Sequence, residues 1–590
     1  MGLGQRLGRS WLLAPPSARA FVRASELGLV GVAALVGLAS GAAVSGIAWL
    51  TQSMHEVFFG LPLGERLSSV GSLRYWAAFL LPAVGGGVLA LWLALTARWT
   101  QRHPADPIEA NALHGGRMSL VDSVQVTVQN VISNGFGASV GLEAGYTQIC
   151  AALASRLGRS LELRRADLRT LVGCGAAGAI ASAFNGPLTG AFYAFELIVG
   201  VYSIGTLTPV IVASLAATFV SRALLGHSHL IAVVEPGAIA NTQVAVVAGL
   251  GLVSAAFGIA LMWAVTGVER TFRVLPLPPL ARPALGGLGV GLFALVSPQV
   301  LSAGHGAFQA TLAQNSTLTA LGGLIALKAL AAAISLGSGF RGGLFFAALF
   351  LGALLGKLAA LLIPAGLLGG MDGSVLAMVG MSSLAVAIVG GPLTMTFLAL
   401  EMTGDFQITV LVLVAVIVAS TTVRKLFGYS FATWRFHLRG ESIRSAHDVG
   451  WLRSLTVGKL MRRDVRTVRA DSTVAMLRRD FPPGSTQRLI VVDNADRYAG
   501  ILLVPDLHAS SLDDKGDTKV GELMRYTKVA LDPAMNVKEA MEAFDSAESE
   551  ELAVVNRADG KVLGLLTESH ALKRYSAELD RHRRDILGEL

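Results

Sequence analysis

Charged side chains are scarce in this chain, and the shortage is confined to one part of it. Asp, Glu, Lys and Arg make up 15% of the 590 residues, whereas soluble globular proteins carry about 25%. From Glu26 to about Arg424 the sequence is a succession of apolar stretches, many near the ~20 residues that span a bilayer core. After Arg435 the charge density is that of a soluble domain. These facts exclude a wholly soluble protein and predict an α-helical, polytopic membrane domain followed by a soluble tail.

Cysteine is almost absent as well. Cys150 and Cys174 are the only two, and both lie in apolar surroundings without the spacing of metal ligands. Two such residues exclude a disulfide framework, so we expect both to be packing residues. No metal site is predicted.

Acidic residues are missing before Glu26, where the chain carries four arginines, and a second basic cluster follows the last apolar run. Because cytoplasmic flanks of membrane helices are rich in Lys and Arg, residues 1–25 are interpreted as a cytoplasmic arm and both termini are expected in the cytoplasm. The net charge of +8 reflects this topology, and no nucleic-acid partner is predicted. Without an organelle signal, a bacterial inner membrane is the expected location.

Glycine interrupts the apolar stretches between residues 117 and 224 and again between 337 and 407. An unpaired backbone group in hydrocarbon is costly, so broken helices occur in membranes only against protein or a water-filled cavity. Interrupted segments at corresponding positions in two halves of a chain indicate a binding site near the bilayer midplane.

The two interrupted regions share sequence. GPLTGAFYAFE at 186–196 matches GPLTMTFLALE at 391–401, which begins 205 residues later, and glycine-rich elements precede the copies, GLEAG at 141–145 and GFRGG at 339–343. The match itself does not give the orientation of the second copy, which we expect to be inverted. The predicted boundaries are 26–440 for the membrane domain, with repeat halves at about 100–235 and 285–435.

The tail contains a repeat of its own. TVGKLMRRDVRTV begins at Thr456 and KVGELMRYTKVAL at Lys519, and each copy continues through a helical stretch, a short apolar strand, a turn and a second strand. This pattern predicts two consecutive α/β units, at 455–510 and 518–575.

A glycine-rich turn that opens an apolar helix is a suitable anion cradle, because a helix N-terminus offers unpaired N–H groups and about half a positive charge. GLEAG and GFRGG have this form, which makes Gly141, Gly145 and Gly343 candidate anion-binding residues. Glu143 lies at the mouth of the first helix, where its carboxylate can mimic the anion and its protonation can free the site. Charged groups inside membranes are costly and usually functional.

Several segments, in the same order, resemble motifs of the CLC family of voltage-gated chloride channels and chloride/proton antiporters. GLEAGYTQ is similar to its G-[KR]-E-G-P motif, AFNGPLTGAFYAFE to its AFNAPLAG segment, GSGFRGGLFFAALFLG to its G-x-F-x-P motif, and FGYS to the stretch with its pore tyrosine. The tail resembles a tandem pair of CBS domains. The resemblance implies transport of chloride or a similar small anion, with protons as a further candidate substrate, by a homodimer in the lipid bilayer with a regulatory tail.

By this resemblance Glu143 is the gating glutamate. The backbone amides of Leu344 and Phe345 would coordinate the central anion together with the hydroxyl of Tyr429.

The chain also departs from the family pattern. The family's anion-binding serine corresponds to Ala105 or Asp106 in PADPIEA, so its selectivity for chloride over nitrate cannot be carried over. Leu197 stands where proton-coupled members carry a second glutamate, which argues against proton coupling by the usual route. Glu196 and Glu401 end the two GPLT copies, and their repetition favours a shared structural role at the helix-to-loop junction.

In the tail, CBS domains often hold an adenine nucleotide through a Ser or Thr and an Asp three residues later. The first copy, GILLVPD, keeps Asp506 but has Leu503 at the hydroxyl position, whereas the second, GLLTESH, keeps Thr567 but has His570 in place of the acid. Asp506 and Thr567 are therefore the candidate nucleotide contacts. A structural dimerisation module without a cofactor is the preferred interpretation.

Two other functions fit single features of the sequence. GASVG at 137–141 has the pattern of a hydrolase nucleophile around Ser139, but no His or Asp in a neighbouring apolar segment offers it a partner. A cation transporter with a CBS tail would need several carboxylates at the midplane site, and the apolar segments hold few. We therefore expect an anion transporter and no enzyme or catalytic residue, with channel and proton-coupled exchanger both open.

Overall fold

The computed structural model describes residues 14–97, 104–226, 239–314, 316–438, 455–509, 516–527 and 529–587. The chain forms two compact units, which divide between Asp448 and Val449. In the described part, eight helices of the first unit are long and apolar enough to cross a bilayer. The predicted polytopic helical membrane protein is confirmed, and so is the small α/β region at the C-terminal end.

The first half of the membrane unit follows a short basic helix, α1 (Pro16–Ala24), and a long apolar one, α2 (Glu26–Phe59). Its further helices are α3 (Tyr75–Thr96), α4 (Pro107–Leu113), α5 (Leu120–Gly135), α6 (Glu143–Ser160), α7 (Arg165–Phe184), α8 (Pro187–Tyr193) and α9 (Ile204–Leu225).

The second half begins with another long helix, α10 (Asn241–Val274). The helices that follow are α11 (Arg282–Val296), α12 (His305–Ala313), α13 (Leu318–Ser338), α14 (Phe345–Leu362), α15 (Ala365–Leu368), α16 (Gly373–Val389), α17 (Pro392–Thr403), α18 (Phe406–Leu426) and α19 (Phe431–Leu438).

The interrupted helices lie where the glycine pattern predicts them. α7 ends at Asn185, whose φ of 56° is left-handed, and Pro187 opens α8, which widens into a π-helical turn at Ala194–Val199. In the second half α16 ends at Gly390 and Gly391, with φ of 88° and 72°, and Pro392 opens α17. A left-handed residue followed by a proline at the first helical position ends one helix and begins the next within three residues.

The two GPLT helices, α8 and α17, pack against each other around equivalent residues. Phe192 and Phe397, which are 205 positions apart, stack with ring centroids 4.3 Å apart. The C-terminal part of each helix contacts the N-terminus of the other through Glu196 and Glu401. Helices that meet in this way run antiparallel, as the expected inverted repeat requires.

The second unit contains the predicted repeat of strand pairs and helices. Its elements are α20 (Val457–Leu460), β1 (Thr467–Arg469), α21 (Val474–Asp480), β2 (Arg488–Val492), β3 (Tyr498–Leu503), α22 (Val504–Leu507), α23 (Val537–Ala547), β4 (Glu551–Val555), β5 (Val562–Thr567) and α24 (Glu568–Leu587). β2 pairs with β1 in parallel and with β3 antiparallel, and β4 pairs antiparallel with β5. The unit has two buried apolar clusters, and each combines residues of both copies: Val457 and Leu460 join the cluster of the second copy, and Val520 joins that of the first.

Candidate functional site

The two glycine-rich loops, one from each half, are bonded to each other. The N–H of Gly141 donates to the carbonyl of Gly343 at 2.9 Å, and the N–H of Gly343 donates to the carbonyl of Gly141 at 3.2 Å. Helix α6 begins two residues after Gly141, and helix α14 begins two residues after Gly343. The sequence repeat therefore brings two helix N-termini together.

Asn130 on α5 holds both loops in place. Its amide nitrogen donates to the carbonyls of Gly141 (3.0 Å) and Arg341 (3.1 Å), and its amide oxygen accepts from the N–H of Gly145 (2.8 Å). The N–H groups of Gly141, Gly145 and Gly343 are thus all taken by protein oxygens. This corrects the expectation that these glycines offer donors to the anion: they shape the loops instead.

The side chain of Glu143 is enclosed between these loops. It is 4% exposed, and its Oε2 atom has no hydrogen-bond partner in the described part of the chain. A Cβ atom added to Gly141 would lie 2.0 Å from Oε2, and one added to Gly343 would lie 3.8 Å from it. The backbone N–H of Phe346, in the first turn of α14, interacts with the carboxylate. The carboxylate of Glu143 therefore lies at the positive end of a helix from the other half.

A cavity of about 490 Å³ opens beside Glu143, and its wall also includes Leu344 and Phe345. Four arginines line it, and they come from both loops and helices: Arg270, Arg273, Arg341 and Arg435. The acids on the wall besides Glu143 are Asp106 and Glu269. An excess of positive side chains in a partly enclosed space raises the local concentration of anions.

Two positions at which the chain departs from the family pattern, Asp106 and Leu197, line this cavity. Asp106 lies on its wall and caps α4, where its Oδ1 accepts from the N–H of Ile108 at 2.8 Å. Ala105 instead contributes its carbonyl to the side chain of Gln148, at 2.9 Å. Leu197 lies on the cavity wall, so the position without an acid borders this cavity.

The structure does not bring Tyr429 to this cavity. Its hydroxyl pairs with Nδ1 of His437 at 3.2 Å, and its ring packs near Trp434, with centroids 5.6 Å apart. Tyr193, at the end of α8, lies on the cavity wall in its place, and its hydroxyl interacts with the side chain of Thr147.

Glu196 and Glu401 exchange contacts across the repeat. Glu196 accepts from the N–H of Leu393 (2.9 Å), the N–H of Thr394 (2.8 Å) and the hydroxyl of Thr394 (2.6 Å). Glu401 makes the same three contacts with the equivalent residues of the first copy, at 2.7, 2.9 and 2.6 Å. The predicted structural role is confirmed, and each glutamate caps the helix of the other copy.

The remaining candidates lie apart from the cavity. In the tail, Asp506 pairs with Arg525 at 2.9 Å, and the hydroxyl of Thr567 accepts from the N–H of His570 at 3.2 Å. Nucleotide binding there stays a prediction. Ser139 is buried, and its hydroxyl has no hydrogen-bond partner among the residues that the structure describes.

Sequence reasoning missed Asn130, Phe346 and Tyr193. Phe346 follows directly after two predicted anion ligands, so the helix-terminus argument could have included it. Asn130 lies on a helix without a motif, and Tyr193 lies within the GPLT repeat, whose sequence does not show that its tyrosine reaches the site.

Comparison with known proteins agrees with this architecture. The family model described as "Voltage gated chloride channel" matches residues 83–424, and the CBS domain model matches 457–511 and 520–577. The chain is 30% identical over 400 residues to a putative ClcB-like chloride channel protein of Ralstonia nicotianae, and 29% identical over 404 residues to the voltage-gated ClC-type chloride channel ClcB of Salmonella typhi. These alignments cover 67% of this chain and 93% and 95% of the relatives.

Solved structures show the same fold. A slow cyanobacterial Cl−/H+ antiporter superposes with a TM-score of 0.60 at 23% identity, covering 70% of this chain and 97% of the other. A eukaryotic CLC transporter has a TM-score of 0.59 at 17% identity and covers 92% of this chain and 97% of the other. Together with the family match over more than half of its length, these findings show that the chain is an integral membrane protein of the CLC voltage-gated chloride channel family with a tandem CBS pair.

Proposed function

We propose that this protein carries chloride or a similar small anion across the membrane along a path that Glu143 closes. The observation that carries the proposal is the buried carboxylate of Glu143 at the N-terminus of α14, in contact with the N–H of Phe346 and with one oxygen unpartnered in the described part. A carboxylate in this position has the charge of the anion that it excludes. Protonation or displacement of Glu143 frees the helix N-terminus for the transported ion.

The surroundings suit an anion better than a cation. A dehydrated anion needs donors in place of water, and the first N–H groups of a helix have no intrahelical acceptor. The N–H groups of Leu344, Phe345 and Phe346 at the start of α14 meet this need, and we assign the hydroxyl next to them to Tyr193 instead of Tyr429. The four arginines of the cavity wall attract anions and repel sodium or potassium.

Protons are the second substrate to test. The structural relative named a slow Cl−/H+ antiporter supports exchange, whereas Leu197 at the position of the second glutamate supports passive conduction. Asp106 is an acid on the same cavity wall that can accept protons.

The deciding experiment is flux of labelled chloride into liposomes that contain wild-type protein or Glu143→Gln. We expect wild-type flux to rise as the pH falls, because protonation neutralises the gate, and the flux of Glu143→Gln to be independent of pH. A chloride gradient that drives protons uphill in wild type but not in Glu143→Gln would identify an exchanger, and its absence in both would identify a channel.

Glu269→Gln is the matched control, since it removes another acid from the same wall. Glu269 is paired with Arg273 at 2.6 Å and should keep the pH dependence of wild type. Sodium flux without chloride flux, or unchanged pH dependence in Glu143→Gln, would contradict the proposal.

Further parts of the proposal concern the assembly and its location. We place both termini in the cytoplasm of a bacterial cell, in its inner membrane, and expect a homodimer with one path in each subunit. The CBS pair is assigned a regulatory role, with an adenine nucleotide at Asp506 and Thr567 as the ligand to test.

A further inference from the structure

A group of basic residues lies close to Glu143 but outside the cavity described above. The ring of His305, the first residue of α12, stacks on the ring of Phe346 with centroids 3.6 Å apart. Phe346 is the residue whose N–H contacts the Glu143 carboxylate. His305 is therefore separated from the gate by a single side chain.

Two stronger bases accompany His305. Lys328 is completely buried, and its Nζ donates to the carbonyls of Val300 (3.0 Å) and Ser302 (2.8 Å), in the segment that leads into α12. Arg66 is exposed, and its Cβ would lie 2.9 Å from a Cβ added to Gly306, the residue after His305. The group thus extends from the surface at Arg66 inward to Lys328.

Other basic side chains act electrostatically on His305. They include Arg66, Lys328 and His55. Within the described part of the chain, Arg66, His305 and Lys328 form no ion pair with Asp or Glu. Lys328 uses two of the three donors of an ammonium group. Guanidinium, imidazole and ammonium donors that lie together can replace part of the water around an anion.

The group lies at the opposite end of the helix bundle from the arginines of the cavity. A Cβ added to Gly291, late in α11, would lie 2.1 Å from the carbonyl of Phe79, early in α3, so these helices are antiparallel. Arg66 precedes the start of α3, whereas Arg273 precedes the start of α11. The 15 residues of α11 correspond to about 22 Å, so the two basic regions lie at opposite ends of these helices.

We infer that Arg66, His305 and Lys328 form a second binding site for a small monovalent anion, on the side of Glu143 that faces away from the cavity. The inference rests on the proposed function and extends it. The anion binds between the guanidinium of Arg66 and the imidazole of His305, with Lys328 behind them. From there it moves to the N-terminus of α14 when the carboxylate of Glu143 leaves.

Bromide-soaked crystals of the full chain test the site, because bromide replaces chloride and gives an anomalous signal. We expect a bromide within hydrogen-bonding distance of Arg66 and His305 in Glu143→Gln, together with a second one at the N–H of Phe346. Adding Arg66→Gln and His305→Gln should remove the first bromide and keep the second. These two changes lie at exposed and half-buried positions, so they avoid the unfolding that a change at buried Lys328 can cause.

Flux from one side gives an independent measurement. In liposomes of uniform protein orientation, the double variant Arg66→Gln/His305→Gln should raise the half-saturating chloride concentration about tenfold, a loss of ~1.4 kcal/mol in binding, for entry from the Arg66 side alone. Arg74→Gln, which removes a charge from the same loop, should leave it unchanged.

The outcomes separate this inference from the proposed function. A bromide at Phe346 with none beside His305, or an unchanged half-saturating concentration in the double variant, overturns the second site and leaves the gate intact. Bromide at neither position in Glu143→Gln overturns both.

Discussion

Glu143 combines two properties that rarely occur together in an apolar interior. Its carboxylate is almost fully buried, and one of its oxygens lacks a hydrogen-bond partner in the described part of the chain. A buried charge in this condition is costly, and the helix N-terminus at Phe346 offsets part of that cost. A side chain that is only partly stabilised in its position leaves it more easily than one whose every atom is bonded. A partly stabilised carboxylate therefore suits the gating role proposed for Glu143.

The variant Gly141→Ala tests how closely Gly141 packs against the carboxylate of Glu143. The added methyl group would lie 2.0 Å from Oε2 of Glu143, so the carboxylate must move away and the path should open. We expect chloride flux that depends less on pH than in wild type, approaching the behaviour of Glu143→Gln, as measured in liposomes.

Gly343→Ala is its matched control in the equivalent loop. The nearest atom to its added methyl group would be the Cβ of Ala144, at 3.6 Å, which is an ordinary contact. The Gly343→Ala variant should transport chloride like wild type. Equal effects of the two alanine variants would contradict the proposal that Gly141 packs against the gating carboxylate.

The sequence predicts the residue-level site in outline. Helix termini opened by glycine can be predicted from the sequence, and the structure places Glu143, Leu344 and Phe345 around one cavity. The sequence does not show which backbone N–H groups remain free for an anion, because this depends on long-range hydrogen bonds such as those of Asn130. Tyr429 illustrates the same limit, since its hydroxyl is taken by a histidine eight residues later.

At the scale of elements, α8 and α17 depend on each other. Each supplies a glutamate that accepts two N–H groups and a hydroxyl at the start of its partner. A carboxylate at a helix N-terminus combines charge-assisted hydrogen bonds with a favourable dipole interaction. The repeat itself could be predicted from GPLT. The exchange of caps could not be predicted, because each glutamate and the groups that donate to it are about 200 positions apart and no local pattern links them.

Glu196→Gln and Glu401→Gln should destabilise the membrane unit by similar amounts, roughly 1–3 kcal/mol each, because each loses charge-assisted bonds at one helix start. Thermal unfolding in detergent, followed by tryptophan fluorescence, measures the change. Glu65→Gln serves as control, since the carboxylate of Glu65 has no bond in the described part. Loss of stability in only one of the two variants would contradict the equivalence of the contacts.

At the scale of the whole molecule, the chain consists of two units with separate cores. The charge distribution predicts this division, and the tail repeat predicts its strand pairs. In the tail, the hydroxyl of Tyr498 on β3 donates to the carbonyls of Tyr526 (2.8 Å) and Val529 (3.1 Å), near the junction of the two copies. Burial raises the pKa of Tyr498 above its ordinary value, which keeps this donor protonated.

Tyr498→Phe should lower the stability of the tail by about 1–2 kcal/mol, since two half-buried carbonyls lose a donor. The raised pKa also gives a pH dependence. The stability that the phenol contributes is present below its unfolded pKa of ~10 and is lost as the pH rises through the folded value. Protease sensitivity of the tail in the full chain should therefore increase above pH ~10 in wild type.

This alkaline increase should be smaller in Tyr498→Phe. Tyr526→Phe is the control, because the hydroxyl of Tyr526 forms no hydrogen bond in the described part. An identical alkaline response in wild type and Tyr498→Phe would show that another group controls it.

The exchanged glutamate caps have a consequence for how such a chain could arise. Glu196 completes a helix that belongs to the other half, and Glu401 returns the same contact. Each half lacks one helix cap when it is alone. Two identical copies of one half, packed antiparallel, would form both contacts with a single glutamate in each copy. Gene duplication and fusion of a homodimeric ancestor would produce this arrangement. The former dimer interface would then lie within one polypeptide.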